Sequence, residues 1–206
     1  MENPWKNISL SDYEGHMSLD NVMQLQTLST IMKRQFTGYD VSTAMVLGVA
    51  GGNGLEHISK EKYTTVYGVD VNSDYLDEAQ KRYSRFGDVL KLLCADLTTE
   101  YDVLPAAQLI IADLLIEYIG YECFKKVVQQ VKPEYVSCVI QVNTDDSFVS
   151  DSPYLHSFDG LDSVHSTIEK DKLISSMAEI SYYHIYDDEE YPLPNGKKLV
   201  LIDFVK

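Results

Sequence analysis

Basic side chains are scarce in this sequence. It has 17 Lys and Arg against 32 Asp and Glu, which gives a formal net charge of −15 at pH 7. Nucleic-acid binding needs a basic surface that offsets the phosphate charge, so this balance argues against a DNA or RNA partner. The acidity is compatible with a neutral or cationic small molecule as substrate, although its simplest role is solubility.

Cysteine is scarce as well, and long apolar runs are absent. Cys94, Cys123 and Cys138 are odd in number and have no C-x-x-C spacing, so we expect buried free thiols in a reducing compartment. No apolar run approaches the ~18 residues of a membrane span. The first residues lack the basic-then-apolar pattern of a signal peptide. These absences predict a cytoplasmic protein without a membrane partner.

The remaining composition is sufficient for one hydrophobic core. The chain has 206 residues, of which 45% are hydrophobic, and this predicts a single domain. Monomer and homodimer are both open.

Apolar runs alternate with amphipathic segments from about residue 44, a pattern that is typical of βαβ units around a parallel sheet. Two later β-rich runs, 180–186 and 198–205, flank an Asn-Gly turn and predict an antiparallel pair. The parallel strands are predicted over 45–49, 65–70, 89–94, 108–113 and 135–142.

Helix signals occur between and before these strands. Ser11 and Glu14 have the spacing of a capping box, which predicts the start of a short helix. Apolar residues at three- and four-residue intervals predict a second helix over 20–38. Further helices are predicted after Asn72 or Ser73, before Pro133 and around 163–178.

The loop after the first predicted strand is the most informative segment. Gly48-Val49-Ala50-Gly51-Gly52-Asn53-Gly54 contains four glycines, which let a ligand approach the backbone. The second strand ends in Asp70, where a carboxylate can accept hydrogen bonds from ribose hydroxyls. Asp96 and Asp113 follow the third and fourth apolar runs. Because the carboxyl ends of parallel strands meet at one edge of a sheet, these residues predict a nucleoside-binding crevice.

In order and spacing, these motifs resemble those of the class I S-adenosylmethionine-dependent methyltransferases over residues 42–206. The resemblance implies S-adenosylmethionine as cofactor and S-adenosylhomocysteine as product. It implies that Asp70 holds the ribose, that Asp96 binds the adenine amino group and that Asp113 faces the methyl group and the substrate. The implied cofactor-binding residues are Tyr13, Gly48, Val49, Ala50, Gly52, Gly54, Asp70, Val71, Asp96, Leu97 and Asp113.

The resemblance also implies the fold class. We expect an α/β fold with a doubly wound, mostly parallel seven-stranded sheet, a C-terminal antiparallel hairpin and an N-terminal helical lid. Residues 1–41 would form the cap and 42–206 the Rossmann-like core. The sequence departs from the family at Val46, where an acid is common, and at Ala50, where a glycine is common. These departures change how the amino group of the cofactor is held.

The expected reaction is direct in-line methyl transfer to a small-molecule acceptor. The leaving group is already activated, so the protein's main tasks are alignment and desolvation. A general base is needed only if the acceptor must lose a proton. The candidates are Asp113, Glu117, Tyr118 and His16. No metal site is expected, because the histidines have no ligand spacing.

Two alternatives stay open. The protein could bind S-adenosylmethionine without catalysis, as a sensor or partner subunit. As a lesser alternative, it could be an NAD-linked oxidoreductase, but a pyrophosphate needs a G-x-G-x-x-G turn that leads into a helix. The frame that begins at Gly48 fails at Ala50, and the frame that begins at Gly52 fails at His57.

Overall fold

A computed structural model describes residues 3–143 and 148–206, in which strands and helices alternate. The strands are β1 Thr43–Leu47, β2 Thr65–Asp70, β3 Leu90–Cys94, β4 Leu109–Asp113, β5 Tyr135–Val142, β6 Tyr183–Pro192 and β7 Lys198–Val205. The α-helices are α1 Leu10–Ser18, α2 Gln24–Thr37, α3 Ser73–Arg82, α4 Ile116–Val131 and α5 Lys170–Ala178. Short 3₁₀ helices cover Pro4–Asn7, Leu55–His57, Ser84–Val89, Tyr101–Val103 and Leu155–Ser163.

The strands form one seven-stranded sheet in the order β3-β2-β1-β4-β5-β7-β6. Neighbouring strands from β1 to β5 pair in parallel, whereas β7 is antiparallel to both β5 and β6. The predicted fold class is confirmed, including the C-terminal hairpin. The strand order reverses between the neighbours β1 and β4, because β2 and β3 lie on one side of β1 and the later strands lie on the other. Ligands of open α/β sheets bind at such a point.

Helices cover both faces of the sheet because side chains alternate along the buried strands. In β1, Met45 and Leu47 belong to a core that contains residues of α4 and α5. Ala44 and Val46 belong to a second core with residues of α2 and α3. A third buried cluster joins α1 and α2 to β5 and β7. The division into a cap at 1–41 and a core at 42–206 stays a prediction.

The predicted capping box is wrong. Helix α1 begins one residue before Ser11, and the side chain of Ser9 accepts a hydrogen bond from the Asp12 amide at 3.1 Å. Ser11 therefore lies inside the first turn, where its hydroxyl contacts that of Ser9 at 3.0 Å. Glu14 instead forms an ion pair with Arg82, with Nη2 and Oε2 3.0 Å apart.

Two other helices begin later than predicted. Helix α2 starts at Gln24 because Met23 has a left-handed backbone with φ of 54°. Helix α5 starts at Lys170, since the preceding chain runs along α4 and the Ser166 amide donates to the Glu117 carbonyl at 2.7 Å. Asn72 caps α3 as predicted, by accepting hydrogen bonds from two amides of its first turn.

The three cysteines are free thiols, but their burial differs. Cys138 is buried and Cys123 partly so, whereas Cys94 is exposed, so the expectation of burial is wrong for Cys94. That residue ends β3, which is an edge strand of the sheet. No helix in the described ranges is both long enough and apolar enough to cross a bilayer.

Candidate ligand-binding site

A cavity of about 350 Å³ lies at the carboxyl ends of β1, β2, β3 and β4. The structure brings most of the predicted cofactor-binding residues together in its wall. Those residues are Tyr13, Gly48, Ala50, Asp70, Val71, Asp96, Leu97 and Asp113. Val49, Gly52 and Gly54 are not among the lining residues.

The first part of the glycine loop forms one wall of the cavity. Gly48 and Ala50 both have left-handed backbones, with φ of 69° and 46°. The Ala50 amide donates to Asp70 Oδ2 at 2.9 Å, and the Gly48 amide donates to the Val69 carbonyl at 2.8 Å. These bonds hold the loop against the end of β2.

The later glycines of the loop serve packing. A Cβ at Gly52 would overlap the ring of Tyr83, and one at Gly54 would overlap the side chain of Met32. Val49 is buried in the core that α2 and α3 form with the sheet. These glycines therefore allow side chains of the protein itself to pack closely against the loop backbone.

Asp70 is a buried acid with two fixed amide contacts. Its Oδ1 accepts from the Asn72 amide at 2.9 Å, and its Oδ2 accepts from the Ala50 amide at 2.9 Å. Burial raises the pKa of this carboxyl, and the amide hydrogen bonds oppose that rise. Each oxygen keeps a lone pair for a ligand hydroxyl.

Asp96 accepts hydrogen bonds from two segments. Oδ1 accepts from the Thr98 amide at 3.0 Å and its hydroxyl at 2.6 Å, and Oδ2 accepts from Asn3 Nδ2 at 3.1 Å. Burial would raise the pKa of this carboxyl, but the hydrogen bonds from Thr98 and Asn3 outweigh it and lower the pKa. Asp96 is therefore an ionised acceptor on the cavity wall at neutral pH.

Asp113 is held by Gln35, a residue that the sequence analysis missed. Gln35 Nε2 donates to Asp113 Oδ1 at 2.8 Å, whereas Oδ2 is buried without a partner among residues 3–143 and 148–206. Burial raises the pKa of Asp113 to about 7, the Gln35 bond opposes this, and the charges of Asp203 and Glu117 add to it. Gln35 lies 78 positions earlier, on the fully buried side of α2.

A second, smaller cavity of about 70 Å³ adjoins the first. Trp5, Tyr13, Leu114 and Tyr118 line both cavities. The second cavity holds the two catalytic candidates that the first lacks. It is completed by His16, Met17, Gln24, Glu117, Gln141, Phe148, Val149, Phe158, Leu161 and His165.

Glu117 lies in the first turn of α4, before Gly120 interrupts the helix with φ of 71°. Glu117 Oε1 accepts from the Gln141 amide at 2.9 Å. Oε2 is buried and has no partner in the described part of the chain. Burial raises the pKa of this carboxyl to about 7. The same turn carries Tyr118, whose phenol pKa is raised by burial and by the Glu117 charge.

The two histidines of the second cavity are uncharged at neutral pH. Burial lowers the pKa of His16 and of His165, and the nearby charge of Lys197 lowers both further, although Asp162 opposes the shift of His165. His16 Nδ1 lies 2.8 Å from Ser152 Oγ. His165 stacks on a phenylalanine ring, with the ring centres 3.8 Å apart.

The N-terminal segment covers both cavities, as expected for a lid. The Trp5 ring lies between those of Tyr13 and Tyr118, with centroid distances of 5.9 and 4.9 Å. Asn72 Nδ2 donates to the Trp5 carbonyl at 3.0 Å and ties the segment to α3. The sequence analysis missed Asn3 and Trp5, because a short irregular segment has no periodic signal.

Comparisons with known proteins identify the fold. No protein-family model matches the sequence, and no curated protein is similar to it in sequence. The N-methyltransferase NodS from Bradyrhizobium japonicum WM9, crystallised with S-adenosylhomocysteine, superimposes with a TM-score of 0.67 at 13% identity, over 96% of this chain and 97% of its own.

Two further solved structures are similar. Magnesium protoporphyrin IX methyltransferase ChlM from Synechocystis PCC 6803 has a TM-score of 0.60 at 9% identity, over 89% of this chain and 82% of its own. The cyclase SpnF has a TM-score of 0.66 at 9% identity, over 90% of this chain and 82% of its own. The chain has the fold of the class I S-adenosylmethionine-dependent methyltransferases, as the motifs predicted. At these identities the likeness establishes the fold alone.

Proposed function

We propose that this protein is a methyltransferase that uses S-adenosylmethionine and acts on a small-molecule acceptor. The observation that carries the proposal is the convergence of three acids in one cavity. Asp70 and Asp113 end β2 and β4, Asp96 follows β3, and all three line the same cavity as the first part of the glycine loop. The fold fits this reaction, and the net charge of −15 favours a small molecule over a nucleic acid.

The residues present fit the cofactor. A cavity of about 350 Å³ lies within the range of small-molecule sites, ~300–1,000 Å³. Asp70 would hold the ribose and Asp96 the adenine amino group. When bound, the cofactor supplies a methyl group that a positive sulfonium has already activated. The unpartnered Oδ2 of Asp113 suits a cavity that receives a cation.

The two departures from the family pattern, at Val46 and Ala50, are compatible with binding of the cofactor. Ala50 keeps the left-handed conformation that a glycine would adopt, so the loop retains its shape. The Val46 side chain is buried in the core that α2 and α3 form with the sheet. The amino group of the cofactor would therefore be held by other groups of the cavity.

The second cavity is the proposed acceptor site. It meets the first along Leu114 and Tyr118, so an acceptor there would lie beside the cofactor cavity. Trp5 and Tyr13 line both cavities and would limit the access of water to bound reactants, which would aid their alignment. Glu117 is the proposed general base, because a carboxyl with a pKa of about 7 exchanges protons near neutrality. Asp113, Tyr118 and His16 are proposed to position the reactants.

An NAD-linked oxidoreductase is the weaker hypothesis. A pyrophosphate gains its stabilisation from the amino end of a well-formed helix. Here the glycine loop leads only into the 3₁₀ turn Leu55–His57. Binding without catalysis of methyl transfer is the other alternative. The similar protein SpnF is a cyclase, so the fold alone does not define methyl transfer.

Calorimetric titration with S-adenosylmethionine, S-adenosylhomocysteine and NAD tests the cofactor. We expect both adenosyl compounds to bind and NAD not to bind. Asp70→Asn should weaken their binding by about ten- to a hundredfold, since hydrogen bonds to a charged group contribute ~1.5–3 kcal/mol. Asp74→Asn, an exposed acid of α3, is the matched control and should change nothing. Binding of NAD alone would refute the proposal, and unchanged affinity in Asp70→Asn would refute the ribose assignment.

Transfer of a labelled methyl group into a metabolite extract then separates an enzyme from a sensor. Label in a small-molecule product is the expected result. Tight cofactor binding with no labelled product from extracts of several sources would favour the non-catalytic alternative.

A further inference from the structure

A buried carboxylate needs hydrogen-bond partners for its oxygens, and only one oxygen of Glu117 has a partner among the described residues. Its side chain is 4% exposed, Oε1 accepts one amide hydrogen bond, and Oε2 has none from residues 3–143 or 148–206. An unpaired buried charge is strongly unfavourable. The group that lies against Glu117 during function must therefore donate a hydrogen bond or carry a positive charge.

Aromatic rings form much of the remaining wall of the second cavity. Trp5, Tyr13, Tyr118, Phe148 and Phe158 all line it. Aromatic faces attract cations, and the attraction is stronger in a site from which water is excluded. A carboxylate surrounded by aromatic rings is suited to an ammonium group. A neutral hydroxyl could donate one hydrogen bond to the carboxylate but would not offset its negative charge.

The other titratable groups around the cavity do not reverse this preference. His16 and His165 are neutral, and the phenol of Tyr118 and the thiol of Cys138 keep their protons because burial raises their pKa values. Asp113, in the adjoining cavity, adds negative charge.

Among the described residues, Lys197 is a cation whose charge lowers the pKa of both histidines. Its Nζ donates to the Phe148 carbonyl at 3.0 Å, and it is not a lining residue of the cavity. Its charge shifts the pKa values of the histidines but is not among the causes of the Glu117 shift. The positive charge of Lys197 therefore acts at the histidine end of the cavity.

The size of the cavity limits the ligand. A volume of about 70 Å³ is about half that of a ~150 Å³ cavity that binds benzene, so it has room for about three non-hydrogen atoms. An ammonium nitrogen with its first two carbons fills such a space, and the rest of a short alkyl chain can lie toward the adjoining first cavity.

We propose that the second cavity binds a small primary or secondary amine as its ammonium ion, with the Glu117 carboxylate as counter-ion. As an assignment of the methyl acceptor, this rests on the proposed function. The ammonium N–H bond breaks as an O–H bond forms at Glu117 Oε2, which leaves a neutral carboxylic acid and an amine with a free lone pair. Glu117 is thus both the binding anion and the proton acceptor.

Calorimetry with n-butylamine, 1-butanol and butyrate tests the site without methyl transfer. We expect n-butylamine to bind at least tenfold more tightly than either of the other probes, which have similar size. Because Glu117 with a pKa of about 7 is about half protonated at pH 7, binding should release about half a proton into the buffer. The measured heat should then vary with the ionisation enthalpy of the buffer. Below pH 7 the affinity should fall by about tenfold per pH unit.

Glu117→Gln is the decisive variant. It should lose at least tenfold in n-butylamine affinity and release no proton, while S-adenosylhomocysteine still binds in the first cavity. Glu122→Gln, an exposed acid on the same helix, is the matched control and should behave as the wild type.

Equal binding of n-butylamine and 1-butanol would overturn the amine assignment, and so would tighter binding of butyrate at the Lys197 end. Proton release that persists in Glu117→Gln would overturn the role of Glu117. If Glu117→Gln does not fold, buffer-independent heats in the wild type would overturn it equally. Binding of n-butylamine without any binding of S-adenosylhomocysteine would contradict the proposed function and support the amine site.

Discussion

Replacing Asp113 by asparagine should stabilise the protein, and the gain should be larger at pH 8 than at pH 5. Asp113 is buried, Oδ2 has no partner in the described residues, and its pKa is raised from the ordinary value of 3.8 to about 7. The side-chain carbonyl of the introduced asparagine can still accept the hydrogen bond from Gln35. The substitution therefore removes the buried charge while it keeps the shape and the single contact.

The sign and size of this effect follow from proton linkage. Between pH 3.8 and about 7 the folded state keeps a proton on Asp113 that the unfolded state has lost, so the free energy of unfolding decreases as the pH rises. From pH 5 to pH 8 this single group should cost the wild type about 2.5 kcal/mol, at ~1.4 kcal/mol per unit. The asparagine variant lacks that loss, so its advantage over the wild type should be about 2.5 kcal/mol larger at pH 8 than at pH 5.

Urea denaturation of both proteins at pH 5, 6, 7 and 8 measures the difference directly. Subtracting the two curves removes the general effect of the net charge of −15, which both proteins share to within one unit. Asp102→Asn, an exposed acid, is the control and should follow the wild type at every pH. A variant that is less stable than the wild type at pH 8, or a difference that does not change with pH, would refute the reasoning.

Three further substitutions test the loop, its packing and the N-terminal segment. Ala50→Gly should raise Tm by about 1–3 °C, since a left-handed alanine costs ~1 kcal/mol, whereas Ala106→Gly, at an exposed position without a positive φ, should lower it. Gly54→Ala should lower the free energy of unfolding by more than about 3 kcal/mol, because its Cβ would overlap a side chain of α2. Gly87→Ala, also at positive φ but with open space around it, should cost less, about 1–3 kcal/mol from backbone strain alone, in the same denaturation assay. Asn72→Ala should cost about 1–2 kcal/mol as a lost helix cap, and it should shift the fluorescence of the single tryptophan to the red as the N-terminal segment loosens. Equal effects of the two alanine substitutions, or of the two glycine substitutions, would contradict the explanation given for that pair. An unchanged emission spectrum in Asn72→Ala would contradict the explanation given for the N-terminal segment.

The sheet was predictable because its strands are local and regularly patterned. Each apolar run is short, is followed by a polar or glycine-containing turn, and alternates with a helical segment. The strand ends at Asp70 and Asp113, and the acid Asp96 just after β3, lie at one edge of the sheet as the motif order predicted. Their roles in cofactor binding stay predictions.

The contacts that complete the site were not predictable, because they join distant parts of the chain. Gln35 reads in the sequence as a polar helix residue, yet it is fully buried against Asp113. Asn3 reaches Asp96 across 93 positions. The late start of α5 likewise depends on hydrogen bonds that the preceding segment makes to α4. Such pairings depend on tertiary packing, for which residue periodicity carries no signal.

The position of the N-terminal segment has a practical consequence for handling the protein. A fluorescent label attached at Asn3 would lie at the rim of the ligand cavity, within reach of Asp96. Lys206 is placed differently, since β7 runs antiparallel to β5 and Val205 pairs with Tyr135 at the amino end of that strand. A label attached at Lys206 would therefore lie at the opposite edge of the sheet, and ligand titrations that need a label should use that position.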